Sequence, residues 1–123
     1  MFSTLQKNAS LPVLQARIMR ATMLASEIKQ LEADRVTAGR MLTAVSFKRG
    51  ADGRFLPRAV RELRDRIKGD TERTIARIDA SLTATRKAYR NALDLARLTA
   101  RASDLDHNDV IVKGWLYKLG KLA

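Results

Sequence analysis

From Leu14 onward, seam positions recur at steps of three and four: Leu14, Arg17, Ala21, Leu24, Ile28, Leu31, Arg35, Ala38, Leu42 and Val45. Eight of these ten positions are apolar. A repeat averaging 3.5 residues keeps one narrow stripe on one side of an α-helix. That is the seam of a coiled coil, narrower than the face of an ordinary globular helix. Ser10-Leu11-Pro12 offers a capping hydroxyl and a proline suited to a first turn. The pattern therefore predicts helix 1 over about residues 11–46, ~50 Å at 1.5 Å per residue.

A second helical run is predicted from Pro57 to about Ala102. Its seam reads Val60, Leu63, Ile67, Thr71, Ile75, Ile78, Leu82, Thr85, Tyr89, Ala92 and Ala96, with Leu93, Leu95 and Leu98 widening the stripe late. The steps of four from Ile67 to Thr71 to Ile75 are a stutter in the heptad. Two readings fit it: a break in which Gly69 ends one helix and Asp70 caps the next, or a continuous helix that is locally unwound. Ser103–Asp109 is polar and turn-prone, and beyond it Val112, Trp115, Leu116, Leu119 and Leu122 form one face of a short C-terminal helix over about residues 109–120.

The segment between the long helices, residues 47–56, also has two readings. One is a flexible loop. The other is a short β-hairpin turning at Gly50-Ala51-Asp52-Gly53, with Arg49 facing Arg54 and with Phe47 and Phe55 near the helix ends. In both, the tip is basic.

Composition agrees with the pattern. The chain of 123 residues has 18 Ala and 16 Leu but only six aromatics and two prolines, Pro12 and Pro57, so it favours helix throughout. The fold expected is all-α: one domain made of a long antiparallel, coiled-coil-like helical hairpin with a basic interhelical tip and a short C-terminal helix. Two helices docked along narrow seams leave Ile18, Met19, Met23, Met41, Leu93 and the Trp115 tail to be covered. Covering them calls for a folded-back third helix together with self-association or a larger assembly. Leu24, Ile28, Leu31, Leu42, Trp115, Leu116 and Leu119 are the expected oligomer or partner interface.

Little here suits catalysis. Without cysteine there are no disulfides, thiolate nucleophiles or Cys-based zinc sites, and a reducing interior is compatible with that. The single histidine, His107, is too few for a two-imidazole metal site. Gly50-Ala51-Asp52-Gly53 lacks the Lys and Ser/Thr of a phosphate-cradling loop. Acids sit beside bases at helical spacing, as in Glu62–Arg66, which is how solvated helix faces read. Asp104, Asp106 and Asn108 match the first ligands of a calcium loop and Ile111 its apolar position. Asp109, however, stands where glycine is required and Trp115 replaces the bidentate Glu, so a helix-capping cluster is the better account. No enzyme activity, cofactor or metal is expected.

Charge carries the one positive signal. The net charge is +11, and Arg outnumbers Lys by 16 to 8. Guanidinium presents a planar fork of donors suited to phosphate and carboxylate. The excess is concentrated: residues 1–47 carry +3, residues 48–101 carry +8 and residues 102–123 carry 0. Arg86, Arg90, Arg97 and Arg101 fall close to one helix face, while Arg54, Arg58, Arg61 and Lys68 make a second stripe near the tip, next to Lys48 and Arg49. Rows like these track a phosphate backbone without reading bases. Phe47 and Phe55 are the only aromatics placed for base stacking.

The leading expectation is a non-catalytic assembly subunit that grips nucleic-acid phosphates, without sequence specificity, through Lys48, Arg49, Arg54, Arg58, Arg61, Arg86, Arg90, Arg97 and Arg101. The alternative is a structural coiled-coil subunit, of virion or secretion-apparatus type, that meets an acidic partner protein without nucleic acid. A third, weaker reading is peripheral membrane contact through Trp115, Leu116, Leu119 and the tail lysines. The expected location is cytoplasmic or within a virion or nucleoprotein particle. Residues 1–26 are free of acids and carry Lys7, Arg17 and Arg20, as organellar presequences do, but they read more simply as the start of an amphipathic helix.

Overall fold

A computed structural model describes residues 4–50, 53–102 and 114–118, with side chains described from residue 11 onward. Two long helices, α1 (Thr4–Val45) and α2 (Arg58–Ala102), pack against each other as an all-α hairpin. A short third helix, α3, covers 114–118, and there are no strands among the described residues. The rest of the predicted C-terminal helix, with the polar segment before it and its calcium-loop positions, lies outside the described residues.

Helix α1 starts earlier than the sequence signal. It passes through Pro12, which lies inside the helix rather than in its first turn. A proline there forgoes one backbone hydrogen bond and crowds the preceding turn, at a cost of ~3 kcal/mol. The flanking Leu11 and Leu14 offset that cost by packing into the core beside Ala96 and Ala100. At the other end, the Ser46 hydroxyl donates to the Leu42 carbonyl at 2.6 Å and the Ser46 amide to the Thr43 carbonyl at 3.3 Å. These bonds satisfy carbonyls that a helix end leaves open.

Helix α2 begins right after Pro57, whose carbonyl accepts from the Arg61 amide at 2.9 Å. It is unbroken through Gly69-Asp70. Arg101 in its last turn complements the negative end of the helix dipole.

Packing divides into two units, Met1–Lys29 with Ala84–Ala123 and, separately, Gln30–Thr83. The first holds two hydrophobic clusters. Ala21, Leu24 and Ala25 of α1 meet Tyr89 and Leu93 of α2, flanked by Ile18, Ile28, Ala88 and Ala92. A second cluster joins Leu14 to Ala96 and Ala100, and the Trp115 and Leu116 side chains of α3 pack on it. The alanines let the backbones approach closely, and each enclosed Leu contributes ~1.5–3 kcal/mol. Every position named in the helix 1 seam is buried or half-buried.

In the second unit, Arg35 Nε donates to Asp79 Oδ1 at 2.9 Å. This contact sets the antiparallel register. Ten residues beyond Arg35 the first helix ends at Val45, and ten residues before Asp79 lies Gly69. The first eleven residues of α2, 58–68, therefore run past the end of α1. That overhang corrects the predicted seam: Val60 and Leu63 are 41% and 54% exposed because they lie beyond the end of α1, and Ile67, 37% exposed, borders an open groove shared with Met41. The seam is enclosed from Thr71 onward, and the Thr71 hydroxyl bonds the Ile67 carbonyl at 2.8 Å.

The connection between the helices is a tight turn closed by a single antiparallel bridge, Arg49 to Phe55. Its register differs by one from the expected hairpin, in which Arg49 faced Arg54. Gly50 donates to the Arg54 carbonyl at 3.0 Å and Gly53 to the Gly50 carbonyl at 3.0 Å. The loop is thus three residues long rather than two. Its last position, Gly53, takes φ 75°, the left-handed conformation that a three-residue hairpin loop requires and that glycine adopts without strain.

Candidate nucleic-acid interface

Within the first unit, Arg86, Arg90, Arg97 and Arg101 are all exposed along α2. From Arg86 to Arg101 the helix advances ~22 Å. Arg90, Arg97 and Arg101 close no ion pair among the described residues, whereas Arg86 has a partner. Asp94 lies in the same helical register, amid the stripe, and forms no ion pair among the described residues either. It is the one acid on that face and was not singled out from the sequence, although its spacing from Arg90 and Arg97 would have revealed it.

The stripe borders the core. Tyr89 is 2% exposed, and burial pushes its hydroxyl pKa above the usual 10.0, while the nearby Arg97 guanidinium opposes that shift. Arg97 itself is exposed.

Within the second unit, the basic residues gather at the overhang and its turn. Lys48, Arg49, Arg54, Arg58 and Arg61 are exposed, and Lys68 is half-buried. They differ in how much charge remains available. Arg58 is bonded to Glu62 at 3.0 Å, although its side chain is 86% exposed. Arg49 stacks over the Phe55 ring, 4.9 Å from its centroid, and reaches the Gly53 carbonyl at 3.4 Å. Arg54 also has a partner within the protein. Arg64, unmarked in the sequence reading, anchors the tip. Its side chain is 17% exposed, its Nη1 donates to the Phe47 carbonyl at 2.7 Å, and it pairs with Asp65 at 2.9 Å.

The expected interface residues are mostly turned inward. Leu24 is enclosed by its own chain, and Ile28 packs against the same cluster. Trp115 and Leu116 cover Leu14, while Leu31 and Leu42 are half-buried. Leu119 lies outside the described residues. The apolar side chains left outward are others: Met19, Met23, Leu95 and Leu98 are 65%, 61%, 46% and 58% exposed. Two open grooves accompany them. One of about 700 Å³ lies among Leu31, Met41, Ile67 and Ile78. The other, about 390 Å³, lies beside Trp115 and Met19.

Among the described residues there is no group of acidic or histidine side chains able to hold a metal ion. No described helix is long and apolar enough to cross a membrane. What the site offers chemically is donor-rich positive charge. Comparison with protein-family models, curated proteins and solved structures finds no match for this chain.

Proposed function

We propose that this chain is a non-catalytic, basic helical subunit that binds the phosphate backbone of nucleic acid, without sequence specificity, as part of a nucleoprotein assembly. The observation that carries the proposal is the exposed row on α2, where Arg90, Arg97 and Arg101 have no carboxylate partner among the described residues. Its ~22 Å length matches about six base steps at 3.4 Å each, so several phosphates lie within reach. Guanidinium groups on a helix face contact phosphates without entering a groove, which leaves sequence unread.

The test is binding of the full chain to unrelated single- and double-stranded oligonucleotides across a salt series. Micromolar or tighter binding at low salt, with a slope implying about five or more phosphates, supports the proposal. Replacing Arg90, Arg97 and Arg101 together by Gln lowers the slope by about three. Negligible binding at low salt refutes it.

A second reading, a structural subunit that self-associates or meets an acidic partner protein, is favoured by the exposed Met19, Met23, Leu95 and Leu98. Light scattering that finds an oligomer, together with no oligonucleotide binding, selects that reading.

A further inference from the structure

We infer that the turn between the helices is a clamp for unpaired nucleotides, with Phe55 stacking on a base and Lys48, Arg54 and Arg58 holding the flanking phosphates. This rests on the phosphate-binding proposal above and narrows it to single-stranded nucleic acid at this site.

Phe55 is 76% exposed, the most exposed large apolar side chain among the described residues. An aromatic ring left in water at the tip of a connection contributes little to the fold, so the reason for its position lies elsewhere. It is held in place nonetheless. Its backbone pairs with Arg49, the Arg49 guanidinium lies 4.9 Å from the ring centroid, and the turn is closed by the hydrogen bonds of Gly50 and Gly53. Arg64 ties the other arm of the turn to α2 through the Phe47 carbonyl. The ring is thus held against the Arg49 guanidinium at the turn, with its backbone paired across the connection.

Every nucleobase has a π face, so an aromatic plane flanked by cations takes any unpaired base and needs no sequence. A base within a duplex is already stacked on both sides and cannot use the ring without being extruded. Bilayer insertion is the competing reading, since Phe47, Val60 and Leu63 are also exposed near this tip, and the vesicle arm of the test below decides it. Lys48, Arg54 and Arg58 are exposed around the turn and suit phosphates on either side of a stacked base, Arg58 by exchanging its 3.0 Å pairing with Glu62 for phosphate.

The experiment measures fluorescence anisotropy of a labelled mixed-sequence 20-nucleotide single strand and of the matching duplex. Both are titrated with the wild-type full chain, Phe55→Leu and Phe55→Trp at two salt concentrations. The wild type is expected to favour the single strand. Phe55→Leu, which keeps apolar bulk but loses the π face, is expected to weaken single-strand binding about tenfold and leave duplex binding unchanged. Phe55→Trp retains the wild-type preference. Unchanged helicity by circular dichroism confirms that the substitutions spare the fold.

Phe55→Leu weakening both probes equally, or neither, overturns the clamp while salt-dependent binding by the wild type leaves the broader proposal standing. Absence of salt-dependent binding by the wild type removes both. Capture of anionic phosphatidylserine vesicles that Phe55→Leu abolishes, with single-strand binding unaffected, assigns the ring to a membrane and overturns the clamp.

Discussion

Arg35 on α1 and Asp79 on α2 meet with Nε 2.9 Å from Oδ1. Arg35 is one of only two seam positions of α1 that are not apolar. The other, Arg17, donates to the Thr99 hydroxyl. Charges along an otherwise apolar seam specify which turn of one helix faces which turn of the other, since a shift by one heptad would leave both arginines without these partners. The Arg35–Asp79 pair is 41% and 52% exposed, so its energetic contribution is modest, about 0.5 kcal/mol. Asp79→Arg is expected to lower the chemical-denaturation midpoint by placing like charges opposite each other. Adding Arg35→Asp to it restores most of the loss, and a double mutant no better than the single one would mean that the pair does not read register.

Gly69 sits in the interior of an unbroken helix at negative φ. A Cβ there would meet only the flexible Arg73 guanidinium, at 3.7 and 3.9 Å. Gly69→Ala is therefore expected to stabilise the protein by about 1 kcal/mol, through helix propensity and a less flexible unfolded chain. Thermal unfolding reports it as a higher midpoint. Gly53 is the opposite case. Space is open around it but its φ is 75°, so Gly53→Ala strains the turn by about 1 kcal/mol.

Tyr89 gives a pH signature. Its raised pKa, caused by burial and partly opposed by Arg97, means that the folded state holds the phenolic proton more tightly than the unfolded chain does. The corresponding stability is complete below pH 10.0 and is lost as pH climbs from there through the folded-state value. Denaturant unfolding between pH 8 and pH 11 is expected to show this decline in the wild type and a shallower one in Tyr89→Phe. Equal declines would assign the effect to other groups.

Asp94 opposes the arginine row on which the proposed function rests. One like charge about 6 Å from a phosphate in water costs ~0.7 kcal/mol, so Asp94→Asn is expected to tighten oligonucleotide binding about threefold at low salt. An unchanged affinity would place the polyanion elsewhere on the protein.

The sequence was most legible where a residue's environment depends on its own helix and a neighbour that continues alongside it. All ten seam positions of α1 turn inward, and so do those of α2 from Thr71 to Ala96. Periodicity names the apolar face but not how far the partner extends, which is why Val60 and Leu63 were expected inside and stand outside. Local start signals misled at Pro12, because the cost of a proline within a helix is offset by packing that no cap rule contains. At the turn, the choice between a two- and a three-residue loop hung on the backbone of Gly53, and one residue decided whether Arg49 faced Arg54 or Phe55. For the candidate site, exposure of the arginines was readable from spacing. Which of them keep their charge available was not, since that depends on rotamers and neighbours such as Glu62 and Phe55.

The unequal reach of the two helices has a dynamic consequence. Amides between Arg58 and Lys68 are supported from one side only by the short connection, so they open to solvent at lower free energy than those beside Tyr89. A ligand that grips this stretch must quiet it first, and some of its intrinsic affinity is absorbed in doing so. Occupancy would then register as slowed amide exchange along one end of α2, a reporter built into the molecule by ending one rod three turns before the other.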